Sequence, residues 1–450
     1  MALMVSISGI RGIVGETLTP ETIVKYASAY AAFCNRGRII VGRDGRITGK
    51  NILDIVTSTL RQMGCNVTDL GICPTPTVAL AVEKLKTAGG ISITASHNPM
   101  MWNGLKFFAP TGLFLDADEN VKFWHLAEHS AEYVPWDKQG SCTINEKFLN
   151  EHIRQVVSLS YIDTEKIRAR KFKVVLDCIN SAGGIIVPRL LEILGCEVTL
   201  LHCEVTGIFE HTPEPIPENL TALCAKVREV KADIGIAVDP DVDRLVLINE
   251  KGEPFVEEYT IATCIDFVLK KEKLINPKVV VNLSTTRAVD DIVNRYGGTT
   301  YRTAVGEINV AKKIKEVGAI IGGEGSGGVI LPKVHLGRDA LVGIGLVVQY
   351  LMEFGGTMSE LKSALPQYLI TKGKIELGSL NADAILKRLC EKYYSSGIIN
   401  TDDGLKIDFT ESWVHLRKSN TEPIIRIIAE AHTKDEADEL VQKFTKEILA

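Results

Sequence analysis

The chain has 450 residues, which is too many for one hydrophobic core, so we expect two to four domains. Hydrophobic residues make up 45% and charged residues 24%, a composition typical of soluble globular proteins. The formal net charge of −5 argues against a nucleic-acid-binding protein, which normally carries a basic surface.

Three features of the sequence bear on its compartment. The ten cysteines include no C-x-x-C pair and no histidine cluster at zinc spacing, so we expect reduced thiols in the core. The amino terminus lacks the basic segment and long apolar core of a signal peptide. The longest apolar run, from Leu341 to Met352, is too short to span a bilayer. We therefore expect a cytoplasmic protein, monomeric or homodimeric, without a membrane or nucleic-acid partner.

Three segments of the chain repeat one pattern, a β-branched strand followed by a polar turn and an amphipathic helix that ends at a glycine. The strands begin at Ile39, Val174 and Val279, and the helices end at Gly64, Gly195 and Gly297. Each segment continues through a second helix to another apolar strand and a polar loop. Alternating strands and helices predict parallel sheets with functional loops at the carboxyl ends of the strands.

The pattern changes near Leu369 to strand, helix, several strands and a final helix, with a tight turn at Asp402-Asp403-Gly404. This order predicts a small α+β domain. We therefore predict an α/β fold of three related modules with mixed, mainly parallel sheets, followed by a carboxyl-terminal α+β domain. The equivalent positions of the polar loops predict four domains around one central cleft.

The first polar loop, Thr94 to Pro99, follows the apolar strand that ends at Ile93. Pro99 cannot continue a strand ladder, so Ser96 is expected on a loop with His97 beside it. Such a serine can accept a phosphoryl group. The alternative is an ordinary turn closed by serine and asparagine side chains.

The second polar loop has aspartates at alternate positions, Asp239, Asp241 and Asp243. Alternate side chains of an extended segment point the same way, so the carboxylates can converge on one Mg²⁺. An EF-hand is rejected because Arg244 stands where that loop needs glycine and because the flanking segments are strands. A plain acidic surface turn is the remaining alternative.

The third polar loop, Gly322 to Gly328, is rich in glycine but does not match a nucleotide-binding loop. No long helix opens directly after it, and Glu324 would repel a pyrophosphate. Glu324 and Ser326 suit sugar hydroxyls, while the alternative is a flexible turn.

The fourth polar loop combines a cation with neutral hydrogen-bonding groups, which suits a phosphate. Its candidate ligands are Arg417, Ser419, Asn420 and Thr421. Two further cations, Arg11 and Lys106, would lie near the cleft if the modules pack as expected. An ordinary hairpin turn and solvated surface charges are the alternatives.

Together the four loops resemble motifs of the α-D-phosphohexomutase family. T-A-S-H-N-P, D-P-D-V-D-R, G-E-G-S-G-G and R-K-S-N-T-E-P occur in the family's order, and the resemblance spans essentially the whole chain. It implies four domains, at residues 1–155 with the phosphoserine loop, 156–254 with the magnesium loop, 255–367 with the sugar-binding loop and 368–450 with the phosphate-binding loop.

The resemblance also implies an activity and its residues. Phosphoserine 96 would move a phosphoryl group between O6 and O1 of a hexose phosphate through a 1,6-bisphosphate, which also acts as activator. Mg²⁺ would be bound by Ser96, Asp239, Asp241 and Asp243. The implied catalytic residues are Ser96, Lys106, Arg11, His97 and Arg244, and the implied substrate-binding residues are Glu324, Ser326, Arg417, Ser419, Asn420 and Thr421.

Two departures affect the expected substrate. Gly328 stands where some members have a histidine, and the next imidazole downstream is His335. Val305-Gly306-Glu307 is similar to phosphoglucosamine mutases, whereas Asn420 is similar to phosphomannomutase/phosphoglucomutases. We favour glucosamine 6-phosphate and glucosamine 1-phosphate, with mannose or glucose phosphates as the alternative.

Two other classes of function remain open from the sequence. One is a hydrolase that uses Asp241 as nucleophile, and the other is a sugar-phosphate-binding protein without catalysis. The intact serine and aspartates argue against the second.

Overall fold

The structure is a computed structural model that describes residues 3–129, 131–378, 380–418 and 424–449. Its packing divides into two compact units. The first unit runs to Thr260 and also includes Gly327–Leu361. The second unit comprises Ile261–Ser326 and the chain from Lys362 onward.

The first unit begins with a seven-stranded mixed sheet in the order β1-β2-β6-β5-β3-β4-β7. Its strands are β1 Met4–Ser6, β2 Gly9–Ile13, β3 Ile39–Arg43, β4 Val67–Ile72, β5 Gly89–Ile93, β6 Trp102–Phe108 and β7 Cys142–Ile144. Strands β3, β4, β5 and β7 pair in parallel, whereas β6 joins β5 and β2 antiparallel. The helices of this part are α1 Pro20–Phe33, α2 Gly49–Gln62, α3 Thr75–Lys84, α4 Ala117–Ala127 and α5 Phe148–Val157.

The second sheet of the first unit has four strands in the order β11-β10-β8-β9. They are β8 Lys173–Asp177, β9 Glu197–Leu201, β10 Ile234–Val238 and β11 Leu245–Ile248. Strand β8 pairs in parallel with β9 and β10, and β11 closes the sheet antiparallel to β10. The helices are α6 Thr164–Arg170, α7 Gly183–Ile193 and α8 Thr221–Val230, with a 3₁₀ turn at Pro217–Asn219.

The third sheet lies in the second unit, where β12 Lys278–Asn282 pairs in parallel with β13 Thr299–Thr303 and with β14 Ile321–Glu324. The helices are α9 Glu257–Glu272, α10 Ala288–Arg295 and α11 Glu307–Val317. They are followed in the chain by β15 Gly328–Ile330, α12 Ala340–Phe354 and α13 Met358–Ser363. Helix α12 contains the longest apolar run, and no helix in the described ranges has the length and apolar character needed to cross a membrane.

The fourth sheet, also in the second unit, is antiparallel with the order β16-β20-β19-β18-β17. Its strands are β16 Leu369–Glu376, β17 Ile398–Asn400, β18 Leu405–Asp408, β19 Trp413–Lys418 and β20 Ile424–Ala431. The helices of this part of the chain are α14 Ala382–Tyr393 and α15 Lys434–Leu449. The predicted fold class, three α/β modules with mixed sheets and a carboxyl-terminal α+β domain, is confirmed.

The buried strands determine where polar chemistry emerges in the first unit. All residues of β5 and of β10 are buried, so both strands are apolar or small throughout. The polar loops therefore begin directly after the carboxyl ends of these strands, at Thr94 and at Asp239.

Candidate functional site

Ser96 is held in an unusual backbone conformation at the end of β5. Its φ angle is +48°, which a side-chain-bearing residue adopts only when its surroundings impose it, and its side chain is buried. The Ser96 amide donates to Thr94 Oγ1 at 2.9 Å, and Thr94 Oγ1 donates to Asp44 Oδ2 at 2.7 Å. These bonds fix the direction in which Ser96 presents its hydroxyl.

Arg46 holds the remainder of the serine loop, and it is completely buried. Its Nε lies 3.1 Å from Asp44 Oδ2. Its two terminal nitrogens donate to backbone carbonyls of Ser96 at 2.6 Å, Asn98 at 2.7 Å, Pro99 at 2.8 Å and Trp102 at 3.0 Å. A planar guanidinium with five N–H donors suits this fan of acceptors, so Arg46 sets the shape of the loop.

The acidic loop lies against Ser96 within the first unit. Asp239, Asp241 and Asp243 are all buried, and one oxygen of each lies within 4.8 Å of the others. Ser96 Oγ donates to Asp239 Oδ2 at 3.0 Å. Ser96 and Asp239, 143 residues apart along the chain, are thus direct neighbours.

The free oxygens of this loop test whether the residues fit a cation. Asp239 Oδ1 accepts from the amides of Asp243 and Arg244, each at 3.1 Å. By contrast, Asp241 Oδ1 and Asp243 Oδ1 are buried without a hydrogen-bond partner. Buried carboxylate oxygens without partners are costly, and carboxylate oxygens of three aspartates within 4.8 Å of one another are a donor set that suits Mg²⁺. The residues therefore fit a hard divalent cation.

Cations surround the acidic loop. Lys106 Nζ lies 2.6 Å from Asp241 Oδ2 and 3.2 Å from Asp243 Oδ2, and it is buried. Arg338 donates to Asp243 Oδ2 at 2.7 Å. Arg244 Nε lies 3.9 Å from Asp243 Oδ1. The site therefore holds buried charge of both signs, which suits a phosphate ester next to a cation.

Burial and neighbouring charges shift the pKa values of Asp239 and Asp243 in opposite directions. Burial raises the pKa of Asp239 well above its ordinary value, and the neighbouring carboxylates Asp243 and Asp241 raise it further. Burial alone would also raise the pKa of Asp243, but Arg338, Lys106 and Arg244 together outweigh burial and lower it. For Lys106, burial acts to lower the pKa, yet the two contacting carboxylates raise it, so the ammonium stays charged.

His97 and Arg11 border the serine loop. His97 Nδ1 lies 3.4 Å from Ser96 Oγ, and Arg11 donates from Nη1 to Asn98 Oδ1 at 3.1 Å. Burial, followed by the charges of Arg244 and Arg11, lowers the pKa of His97 well below its ordinary value. The imidazole is therefore neutral near pH 7 and has a lone pair for a proton.

Gly328, which departs from the family pattern, and His335, the next imidazole downstream, have different surroundings. A Cβ atom at Gly328 would lie 2.2 Å from Arg338 Cδ, so this glycine makes room for the arginine that contacts Asp243. His335 Nε2 lies 3.1 Å from Asp339 Oδ2, and its Nδ1 accepts from the Gly337 amide at 3.0 Å. Both ring nitrogens of His335 are thus used within its own loop.

The second unit carries the predicted sugar-binding residues. Glu324 is buried at the end of β14, and its Oε1 accepts from Asn282 Nδ2 at 2.9 Å and from the Gly306 amide at 3.0 Å. Ser326, two residues later, is half-buried. These bonds orient the Glu324 carboxylate from two other loops of the same unit.

The predicted phosphate-binding loop is described in part. Arg417 Nε lies 2.9 Å from Asp403 Oδ2, and the Val305 amide donates to the same oxygen at 2.9 Å. Ser419, Asn420 and Thr421 lie outside the described residues. Their assignment, like the roles of the other site residues, stays a prediction.

Sequence reasoning did not predict three residues of the first unit, Arg46, Arg338 and Thr75. None of the three belongs to a motif that the sequence analysis identified. Thr75 Oγ1 donates to Asp241 Oδ2 at 2.5 Å. Only Arg338 belongs to a repeated tripeptide, Gly-Arg-Asp at residues 337–339, which also occurs at 42–44; Arg46 and Thr75 lie outside both copies.

Comparisons with known proteins agree with this geometry. The chain matches Phosphoglucomutase/phosphomannomutase alpha/beta/alpha domains I, II and III at residues 4–133, 150–252 and 257–368, and the C-terminal domain of that family at 376–447. A "Probable phosphoglucosamine mutase" of Methanopyrus kandleri is 34% identical over 443 residues, with 97% of this chain and 96% of the relative covered. A "Phosphoglucomutase/phosphomannomutase" of Thermococcus kodakarensis is 36% identical over 445 residues, with 96% of both chains covered.

A solved structure of a Phosphoglucomutase/phosphomannomutase family protein from Burkholderia thailandensis has a TM-score of 0.86 and 25% sequence identity. The match covers 99% of this chain and 98% of that one. The resemblance predicted from the four loop motifs is therefore confirmed. The chain belongs to the phosphoglucomutase/phosphomannomutase family, whose members are intramolecular phosphotransferases.

Proposed function

We propose that the protein moves a phosphoryl group between O6 and O1 of a hexose, and that its preferred pair is glucosamine 6-phosphate and glucosamine 1-phosphate. The observation that carries this proposal is the contact of Ser96 Oγ with Asp239 Oδ2 at 3.0 Å. A hydroxyl beside buried carboxylates and buried cations is the arrangement that a phosphoserine intermediate needs.

The chemistry consists of two transfers in opposite directions. In the first, a sugar hydroxyl attacks the phosphorus of phosphoserine 96, the bond to Ser96 Oγ breaks, and the hydroxyl proton passes to a base. The resulting 1,6-bisphosphate turns around. In the second, Ser96 Oγ attacks the other phosphate, and the sugar oxygen that leaves takes up a proton. Added 1,6-bisphosphate would act as activator by phosphorylating Ser96.

Phosphoryl transfer asks the protein mainly for positioning and for neutralisation of charge. Arg46 supports positioning, since its bonds to the serine-loop carbonyls hold Ser96 in place. Arg244 would neutralise charge on the serine phosphate. When bound by Ser96, Asp239, Asp241 and Asp243, Mg²⁺ would neutralise further phosphoryl charge.

The groups that move protons are proposed from geometry. His97 Nδ1 lies 3.4 Å from Ser96 Oγ, within range of a proton transferred during the reaction. Lys106 and Arg11 remain candidates for supporting charge in the transition state. Lys106 suits that role because its ammonium contacts two carboxylates of the acidic loop.

The substrate would be recognised by side chains of the second unit. Glu324 and Ser326 would bind ring hydroxyls, which look alike in either orientation of the intermediate. The phosphate that does not react would be held by Arg417, Ser419, Asn420 and Thr421. Support for this assignment comes from Arg417, because a guanidinium binds phosphate oxygens with paired hydrogen bonds.

Two observations bear on the choice of hexose. A relative named as a probable phosphoglucosamine mutase is 34% identical to the chain, and one named as a phosphoglucomutase/phosphomannomutase is 36% identical. The Gly306 amide contacts Glu324, so the Val305-Gly306-Glu307 segment that favoured glucosamine borders the sugar loop. Mannose and glucose phosphates are the second candidate substrates.

The test combines mass spectrometry with turnover. The purified protein should carry a phosphate on Ser96, and Ser96→Ala should abolish turnover of glucosamine, mannose and glucose 1-phosphates primed with bisphosphate. Ser58→Ala, which removes an exposed helical serine, is the matched control and should keep both phosphate and turnover. Ranking kcat/KM across the three sugars tests the preference for glucosamine.

Other outcomes would support the rival functions. Steady release of inorganic phosphate that survives Ser96→Ala would indicate a hydrolase using Asp241. Binding of hexose phosphate with no turnover by the phosphorylated wild type would indicate a binding protein. Either result would overturn the mutase proposal.

A further inference from the structure

A second group of potential metal ligands lies at the edge of the second sheet of the first unit. Asp177 ends β8, His202 follows β9, and His211 lies in the next loop. One ligand atom from each lies within 4.8 Å of the other two. Asp177 Oδ2 is 2.9 Å from His202 Nδ1 and 3.2 Å from His211 Nε2.

The hydrogen bonds of His211 leave a lone pair facing a carboxylate. Its Nδ1 lies 2.8 Å from the Thr212 carbonyl oxygen, and only an N–H can bond a carbonyl, so Nδ1 carries the proton. The other nitrogen, Nε2, of a neutral ring is then an acceptor. It faces Asp177 Oδ2, which is also an acceptor, at 3.2 Å. A cation, either a proton or a metal ion, must lie between the two atoms.

We propose that Asp177, His202 and His211 bind a zinc-like transition metal ion at a site separate from the acidic loop. Two imidazoles and one carboxylate are a ligand set that Zn²⁺ takes in proteins, with water in the fourth position. Metal–ligand bonds of about 2.0–2.1 Å in a tetrahedron place neighbouring ligand atoms about 3.3 Å apart. The separations of 2.9 and 3.2 Å are close to that spacing.

The surroundings of the ligands match those of metal-binding histidines. Such histidines usually donate their second ring N–H to a carbonyl or carboxylate, as His211 does to Thr212. The second oxygen of Asp177, Oδ1, accepts from the Ile179 amide at 2.9 Å, which orients the carboxylate. Cys203 adjoins His202, but its Sγ contacts the carbonyls of Leu176 at 3.5 Å and Leu201 at 3.2 Å, so the ligand set is nitrogen and oxygen without sulfur.

A metal ion here would hold in place the segment 202–214, which contacts two arginines near Ser96. The Phe209 ring of this segment lies 4.9 Å from the Arg46 guanidinium carbon, and Glu214 Oε1 lies 3.8 Å from Arg244 Nη1. The ion joins the segment to the end of β8 at Asp177. The ion would therefore hold this loop against the arginine that shapes the serine loop.

The experiment uses the full chain after removal of metals by a chelator. The protein is titrated with Co²⁺ in a large excess of Mg²⁺, which keeps the acidic loop occupied by a hard cation. We expect one equivalent of Co²⁺ to bind with the visible spectrum of a four-coordinate nitrogen and oxygen site and without a sulfur charge-transfer band. Zn²⁺ should displace it and raise the melting temperature.

His211→Gln should lower Co²⁺ affinity more than about 100-fold. Removing a residue that only hydrogen-bonds to a metal ligand lowers metal affinity about 10- to 100-fold, and removing the ligand itself should lower it more. His125→Gln is the matched control, since it breaks an exposed histidine pair whose rings lie 4.5 Å apart. That variant should bind Co²⁺ as the wild type does.

Three results would overturn the proposal. They are a wild type that binds no Co²⁺ in excess Mg²⁺, equal binding by wild type and His211→Gln, and a spectrum with sulfur ligation. If His211→Gln does not fold, His202→Gln with a native melting curve must lose the same equivalent of Co²⁺. Retention of that equivalent would show that a proton bridges His211 and Asp177.

Discussion

Replacing Arg46 with lysine would test how the serine loop is held. The guanidinium donates to one carboxylate oxygen, on Asp44, and to four backbone carbonyls, on Ser96, Asn98, Pro99 and Trp102. Lysine keeps the positive charge beside Asp44, so the buried ion pair survives. An ammonium has only three N–H donors, however, so at least two of the five hydrogen bonds from Arg46 are lost.

The expected cost follows from this count. A hydrogen bond to a charged group is worth about 1.5–3 kcal/mol, so the loss of two such bonds in Arg46→Lys should destabilise the loop by about 3–6 kcal/mol. Because about 1.4 kcal/mol corresponds to a tenfold change in an equilibrium constant, amides of the loop should exchange with solvent at least about 100-fold faster. A displaced Ser96 should also lower kcat by about 100-fold, since phosphoryl transfer depends on position.

Hydrogen–deuterium exchange of the peptide covering residues 94–104 measures the first effect, and steady-state turnover measures the second. Arg43→Lys is the matched control, because Arg43 ends β3, three residues before Arg46, and its side chain donates one described bond, from Nη1 to the Asp44 carbonyl at 3.1 Å. Lysine can replace a single bond, so exchange and kcat should change less than about threefold.

Unchanged exchange and unchanged kcat in Arg46→Lys would refute the reasoning, because the carbonyl contacts would then contribute little. Faster exchange of the whole chain, rather than of residues 94–104 alone, would mean that Arg46 supports the module and not the loop in particular.

Two further predictions concern Gly328 and His415. In Gly328→Ala the new Cβ would lie 2.2 Å from Arg338 Cδ, so Arg338 should leave Asp243. Loss of that charge-assisted bond, worth about 1.5–3 kcal/mol, should lower kcat/KM about 10- to 100-fold. In a protein that already carries Arg338→Met, Gly328→Ala should lower kcat/KM no further. A full additional loss in that background would contradict the steric explanation. Burial lowers the pKa of His415 from 6.5 to about 4, so the unfolded chain takes up its proton at a higher pH than the folded chain does. The contribution of the buried neutral His415 to the free energy of unfolding is therefore fully present above pH 6.5. It is lost as the pH falls toward 4, by up to about 3 kcal/mol. Urea unfolding of wild type and His415→Gln at pH 7 and pH 4.5 measures the difference, and parallel pH dependences would contradict it.

Much of the fold could be predicted from the sequence because its signals are local. A β-branched strand, an amphipathic helix and a terminal glycine are periodic patterns within about 30 residues, so the sequence predicted the α/β modules and the α+β last domain. The serine loop and the acidic loop were found for the same reason. Each is a short run at the end of a strand, and residue type and spacing alone indicate its chemistry.

The supporting residues could not be predicted because they act across long stretches of chain. Arg46 meets Ser96 across 50 residues, and Arg338 meets Asp243 across 95. The proposed metal site could not be predicted either, because its ligands share no short spacing: His202 and His211 lie 25 and 34 residues from Asp177.

The sequence by itself determined the module order and the chemistry of each loop, because backbone periodicity and side-chain type are properties of contiguous residues. Only the tertiary structure decided which distant side chains meet. That choice depends on how sheets and helices pack, and burial then determines which charges must find partners.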